Sequence, residues 1–241
     1  MPNAVSTLIE VSYKEEFLDL IYDLRAIENG VIFEKDDDEE NILVKRIDAE
    51  KNMAYSLKAP LSYFDFSEDR IAFYDYEEFY QFFKGLMKSP DIKLDNTKIV
   101  MEKDNSRMDY MLSDPDSVRA GPKNIKFEGA QVAFKLTAKD LERLTKTVTS
   151  IKPKRAKISW DGKEVSIVVF SNQHHNVYEI KCDGKPIDGF DESFEFMVFF
   201  DVFIKLPSRR DYNVYLKTDG WSRYSLIHEE IDLDIYAGRV A

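Results

Sequence analysis

"VAFKLTAKDLERLTKTV", residues 132–148, reads as a strand that runs straight into a helix. Val132, Phe134 and Leu136 alternate with other residues, the period of a half-buried strand. From Thr137 the period changes. Leu141, Leu144, Val148 and Ile151 fall within about 80° of one another on a helical wheel, which predicts a helix over 138–152 with one apolar stripe. Thr137-x-x-Asp140 is its N-terminal box: a hydroxyl for an orphan amide, and an acid beside the positive end of the helix. The stretch decides the fold because the chain says it twice. "TLIEVSYKEEFLDLIYDL", residues 7–24, is again a strand and then a helix, with Ser12-x-x-Glu15 standing 125 residues ahead of Thr137-x-x-Asp140.

Two further landmarks keep that offset. "IAFYDYEEFYQFF" matches "FMVFFDVFIKL" as an apolar strand, an Asp cap and an aromatic helix, with Asp75 and Asp201 126 residues apart. "MDYM" at 108–111 matches "LDIY" at 233–236, again at 125. Between the repeats lies "SDPDSVRAGPKN", 113–124, whose prolines, glycine and small polar residues read as a linker. The domains are therefore expected at 1–116 and 117–241. Each half reads strand, helix, several strands, strand, helix, several strands. "ILVKRI", "KIVMEK", "AKISW", "VSIVVF", "VYEIKC" and "YNVYLK" are strands, and Asp161-Gly162, Asp183-Gly184 and Asp219-Gly220 read as hairpin turns. Few helices and many strands make the class α+β, with antiparallel sheets covered by helices.

The charge is unevenly placed. The chain carries a formal net charge of -11, which argues against coating nucleic acid indiscriminately. Residues 1–120 hold 15 basic and 27 acidic residues; residues 121–241 hold 19 and 18. Within 137–155 six basic residues stand against Asp140 and Glu142. Lys139, Arg143 and Lys146 lie on the face opposite the apolar stripe, and Lys152, Lys154 and Arg155 extend the patch beyond the helix. A helix at 76–88 turns Phe79, Phe82, Phe83 and Leu86 inward and Gln81, Lys84 and Lys88 outward; a short helix after Asp201 is followed by Lys205, Arg209 and Arg210. The helix at 13–28 differs, since its outer face shows Glu15, Asp19, Tyr22 and Ala26.

Other chemistries find little support. Apolar runs such as "VSIVVF" and "FMVFF" fall far short of the roughly 20 residues of a membrane span. "MPNAVSTLIEV" has no basic region ahead of an apolar one, so no secretion signal is expected, and one cysteine, Cys182, suits a reducing, cytoplasmic setting as a packed thiol. No G-x-x-x-x-G-K-[ST] loop is present. His174, His175, Cys182 and His228 have no metal-ligand spacing, "DDDEE" at 36–40 reads as a solvated hairpin tip, and Asp232 with Asp234 is only half of a two-metal nuclease pair. No cofactor and no metal are expected.

In order and spacing the chain resembles the DNA polymerase sliding clamps and, among them, the processivity clamp of T-even-type tailed phages. The likeness is carried by "FLDLIYDLRAIENGVIFEKD", "IAFYDYEEFYQFFKGLM", "SDPDSVRAGPKNIKF", "FKLTAKDLERLTKTV" and "LDIYAGR". The acidic first helix and the "KDDDEEN" loop at 35–41 depart from it. The resemblance implies duplicated clamp domains, sheets outside and helices lining a ring. It implies a non-enzymatic homotrimer that encircles duplex DNA without reading sequence and tethers the replicative DNA polymerase. A clamp-loader ATPase opens such a ring, and similar phage clamps also serve the transcription machinery. Twelve helices about 10 Å apart close a circle of roughly 120 Å, about 38 Å across at the axes. Less a helix width of about 10 Å, the hole of roughly 28 Å admits a duplex about 20 Å wide.

On this reading Lys84, Lys88, Lys139, Arg143, Lys146, Lys152, Lys154, Arg155, Lys205, Arg209 and Arg210 face DNA. The resemblance places the subunit interface on Met108, Tyr110 and Leu112 of one chain and Val177, Tyr178 and Ile180 of the next. It places a pocket for partner peptides at Val118, Pro207, Tyr236 and Ala237. The alternative is an acidic, β-rich oligomeric structural or adaptor protein whose lysines only solvate it; a metal nuclease is a distant third.

Overall fold

A computed structural model describes residues 8–171 and 176–240. The first repeat runs β1 (Ile9–Val11), α1 (Glu15–Leu24), β2 (Val31–Lys35), β3 (Asn41–Ile47), β4 (Met53–Pro60), β5 (Arg70–Phe73), α2 (Tyr76–Tyr80), β6 (Asp91–Leu94), β7 (Lys98–Lys103) and β8 (Ser106–Met111). The second runs β9 (Val132–Leu136), α3 (Ala138–Ile151), β10 (Arg155–Trp160), β11 (Glu164–Phe170), β12 (Val177–Pro186), β13 (Phe194–Phe199), α4 (Asp201–Lys205), β14 (Tyr212–Leu216), β15 (Ser222–Leu226) and β16 (Asp232–Ala237). The order of strands and helices is the same in both. So is the pairing: β1-β6-β7-β8 answers to β9-β14-β15-β16, and β5-β2-β3-β4 to β13-β10-β11-β12. A duplicated α+β fold with antiparallel sheets is what the repeated landmarks predict.

The chain divides into two compact units, Met1–Arg46 with Leu57–Pro122, and Ile47–Ser56 with Lys123–Ala241. The core of the first is aromatic. Phe33 of β2 touches Phe17 of α1, Phe64, Phe73 and Tyr76, and Phe79 continues the cluster to Phe83 and Tyr110. Edge-on and tilted ring contacts of this kind add to simple area burial. In the second unit the apolar side of α3 lies over β11 and β12, and Phe203 of α4 meets Phe200 on one side and Tyr224 of β15 on the other.

Several local expectations are corrected. Ser12 does not cap α1: Tyr13 bridges Phe64 and the Lys14 amide bonds the Tyr63 carbonyl, so the chain stays extended and the N-cap is Lys14. Asp201 does not cap α4, because Phe200 is already helical and takes the N-cap position. Asp75 and Thr137 do cap their helices, accepting from the amides of Glu78 and Asp140. Asp183-Gly184 is no turn. It lies within β12, where the strand changes partner: Asp183 pairs with Glu164 of β11 and Gly184 with Phe134 of β9. A Cβ at Gly184 would sit 2.3 Å from the Trp160 ring, so glycine is needed for close approach rather than for a turn. The helix from Tyr76 continues as a wider turn over Gln81–Leu86, with the Met87 amide bonding the Phe82 carbonyl five residues back. That extra residue rotates Leu86 outward, where it is 68% exposed instead of packed. On α3, Thr147 is buried in place of Val148; its hydroxyl is satisfied by the Leu144 carbonyl.

Candidate nucleic-acid interface

The basic surface is built from α3 outward. Thr137 fixes its start, and the hydroxyl also donates to Asp140 at 2.6 Å. Its end is set by Lys152, whose left-handed backbone (φ 48°) turns the chain so that Lys154 and Arg155 emerge directly into β10. Lys139, Arg143 and Lys146 are exposed on the face away from the sheet. Arg143 lies 3.4 Å from Asp140, and Lys146 lies 2.7 Å from Glu142. The Glu142 carboxyl is held below its ordinary range by Lys146 and, more weakly, by Arg209, which puts the loop after α4 beside this face. Among the described residues Lys139, Lys154 and Arg155 have no carboxylate within ion-pair distance. Lys205 is half-buried at the end of α4, Arg210 is half-buried and Arg209 is exposed. The second unit thus gathers a surplus of positive charge on its helical side.

The first unit treats its cations differently. Lys84 is 2.8 Å from Glu15 and 3.2 Å from Asp19, and these partners raise its pKa, Glu15 foremost. The Tyr80 hydroxyl donates to Asp19 at 2.6 Å. Tyr22 stacks on Tyr80 at 4.0 Å, and the Arg25 guanidinium lies 3.5 Å from the centre of the Tyr22 ring with Glu77 at 3.7 Å. Lys88 is exposed, in a left-handed turn whose carbonyl accepts from Lys103. The Tyr22–Tyr80–Arg25 stack escaped sequence reasoning; the i, i+3 spacing of Tyr22 and Arg25 was its only trace.

Among the described residues, β8 and the first part of β12 are two of the strand stretches with an open edge. Strand β8 pairs there with β7 alone. The Leu112 amide bonds the Thr97 carbonyl, so by antiparallel alternation the amides of Met108 and Tyr110 also point at β7, while those of Asp109 and Met111 point away. Residues 177–183 of β12 pair only with β11. The Ser171 amide bonds the Asn176 carbonyl, so Tyr178 and Ile180 face β11 and the amides of Val177, Glu179 and Lys181 point outward. Tyr110 is moreover a core residue, its hydroxyl bonded to the Asp75 carbonyl and pushed up to about 12 by burial. Of the residues assigned to an interface, Val177 alone turns its amide outward; the other outward amides, of Asp109, Met111, Glu179 and Lys181, belong to residues beside them.

The four expected pocket residues are all buried. Val118 packs with Ile32 and Ala72 in the first unit. In the second, the Pro207 carbonyl accepts from the Tyr212 hydroxyl, Ala237 has no exposed surface, and Tyr236 is 7% exposed. The Tyr236 ring meets Phe127 at 6.0 Å, its hydroxyl donates to Asp234 at 3.1 Å, and burial pushes its pKa up to about 12. This is the geometry of a residue closing the last strand. Tyr236→Ala is expected to cost about 3 kcal/mol, read as a clear fall in melting temperature. Lost peptide binding with an unchanged melting temperature would instead make it an anchor.

The remaining candidates have ordinary roles. Asp36 closes the β2–β3 turn, accepting from the amides of Glu40 and Asn41, and the Asn41 side chain leads in pulling its pKa to about 2. Asp234 accepts from Ser225 and Tyr236. The His228 ring accepts from the amides of Glu230 and Ile231. Cys182 is buried and its thiol is pushed up to about 11. His174 and His175 lie outside the described residues. Among the described residues no three His, Cys, Asp or Glu side chains are grouped to hold a metal ion, and no helix is long and apolar enough to cross a membrane.

No protein-family model matches the chain, and no curated protein matches it in sequence. Its likeness is to solved structures. The proliferating cellular nuclear antigen of Entamoeba histolytica aligns with a TM-score of 0.75 at 12% identity, over 98% of this chain and 100% of that one. The PCNA of Thermococcus kodakaraensis gives 0.74 at 15% identity, over 97% and 100%. The A. fulgidus PCNA structure with the C-terminal region of FEN-1 bound gives 0.73 at 11%, over 98% and 99%. The fold is that of the sliding clamps, from one end of the chain to the other.

Proposed function

We propose that this protein is a DNA sliding clamp: a non-enzymatic homotrimeric ring that encircles duplex DNA and tethers a replicative polymerase. The observation that carries the reading is the cationic face of α3, set on this fold with Lys139, Lys154 and Arg155 unneutralised. Contacts from such a face go to phosphate and carry no sequence information, as sliding requires.

Closure of the ring draws support from the duplication itself. In the second unit, β16 neighbours β4, whose first residues belong to that unit, and the Gly238 amide bonds the Asn52 carbonyl. The counterparts of β16 and β4 in the other repeat positions are β8 and β12, and each of these has an open edge. Pairing β8 of one copy with β12 of the next repeats a junction the chain already makes, and it removes two exposed edges. On this reading Lys139, Arg143, Lys146, Lys152, Lys154, Arg155, Lys205, Arg209 and Arg210 face the duplex. Partner peptides of the polymerase and of a clamp-loader ATPase dock on the outer side of the second unit. The T-even phage clamps are the type we assign, with a role in transcription and the cytoplasm of a host cell as corollaries.

The test is topological. Light scattering should give the mass of three chains, and the protein should stay on closed circular DNA yet run off the same DNA once it is linearised. Equal loss from both forms, or a monomer, sinks the proposal in favour of an acidic adaptor.

A further inference from the structure

The two helical faces carry opposite charge. Residues 13–28 and 75–89, which hold α1 and α2, contain four basic residues against eight acidic, a net of -4. Residues 137–155 and 200–210, which hold α3 and α4, contain nine basic against three acidic, a net of +6. A lining that grips phosphate all round would not be built this way. Of the four cations of the first face, Lys84 and Arg25 are already engaged, while Lys88 is exposed. Lys84 is bound by Glu15 and Asp19, Asp19 is pinned by the Tyr80 hydroxyl, and the Arg25 guanidinium lies over Tyr22 with Glu77 beside it.

We infer that the α1–α2 face is a repulsive spacer, which holds the duplex off and confines phosphate contact to the α3–α4 face. The inference rests on the ring reading above. In a trimer the spacer recurs three times, alternating with the three basic arcs. Each phosphate neutralised by a cation releases counterions and deepens the well the duplex must leave to move on, with a salt slope of about 0.9 per contact. Halving the gripping surface lowers that barrier while the ring itself prevents escape. Affinity is not needed for retention where topology supplies it, so an acidic arc costs the clamp nothing in residence and favours sliding. The stacked Tyr22–Tyr80 pair keeps this face stiff, so that Lys84 does not swing out to a passing phosphate.

The experiment is the salt dependence of binding to a short linear duplex, by fluorescence anisotropy, for the full chain and for Glu15→Gln/Asp19→Asn. Both side chains are part-exposed, and the amides keep their size. The variant should bind more tightly, with a slope of log K against log salt steeper by about 3, one released Lys84 in each of three subunits. An unchanged affinity and slope, in a variant with wild-type mass and melting temperature, overturns the inference. Should the double variant fold poorly, Glu15→Gln alone keeps the Tyr80–Asp19 bond and must shift the slope in the same direction. Retention of the wild type on circular against linear DNA is measured alongside. Failure there overturns the ring reading and the spacer with it, whereas failure of the slope alone leaves the ring standing.

Discussion

Met111→Pro and Glu179→Pro are each expected to convert a trimer into monomers that still fold. The Met111 amide points away from β7 and its side chain is 63% exposed, so proline there breaks no bond within the chain. The Glu179 amide likewise points away from β11. Proline removes the one donor each position has for an incoming strand, and its ring blocks the approach. Proline at Tyr110 or Tyr178 is a poorer test, because those amides serve the ladders to β7 and β11 inside the chain. Light scattering reads the result directly, and thermal melting checks the fold. If both proline variants keep the trimer mass, β8 and β12 do not meet between copies. Loss of retention on circular DNA should accompany monomerisation, since an open chain has no topology to hold it.

Strand and helix periods are local, so "VAFKLTAKDLERLTKTV" and its earlier counterpart announce the same unit, and the helix caps at Thr137 and Asp75 stand where their residue types place them. The duplication followed from spacing alone. What local pattern missed depends on distant partners. Asp183-Gly184 has turn chemistry, but Trp160, brought in by β10, fills the space a side chain needs and leaves the strand to run on. Ser12 has cap chemistry, but Tyr63 and Phe64 hold the chain extended past it.

The candidate site divides along the same line. On α3 the cations and their neutralising acids lie three or four residues apart, so one helical wheel shows both. Lys84 also sits on an outward face, yet its two carboxylates come from α1, 69 and 65 residues away in sequence. No wheel drawn on one helix shows that. The expected pocket shows the same limit: Tyr236 near a chain end reads as available, and only the packing of Phe127 on its ring shows that it is covered.

The α3 face itself is open to a direct test. Lys139→Glu, Arg143→Glu and Lys146→Glu together should leave the trimer intact and sharply reduce loading onto DNA and processive synthesis. All three side chains are exposed and none packs in the core. Their partners Asp140 and Glu142 form only surface pairs, which contribute little to stability. New repulsion between Glu142 and a glutamate at 146 is a surface effect of the same small order, so the fold loses little. The electrostatic change is far larger: three reversals take the α3–α4 segments from a net of +6 to zero and leave the acidic α1–α2 face unopposed. Salt distinguishes this cause from misfolding. The screening length grows from about 10 Å at 0.1 M to about 30 Å at 0.01 M, so repulsion of the duplex should be worst at low salt and should ease as salt is raised. A folding defect would not improve in that direction. Loading and polymerase processivity equal to wild type, in a triple variant of trimer mass, would remove α3 from the DNA face and return its lysines to the role of solubilising an outer surface.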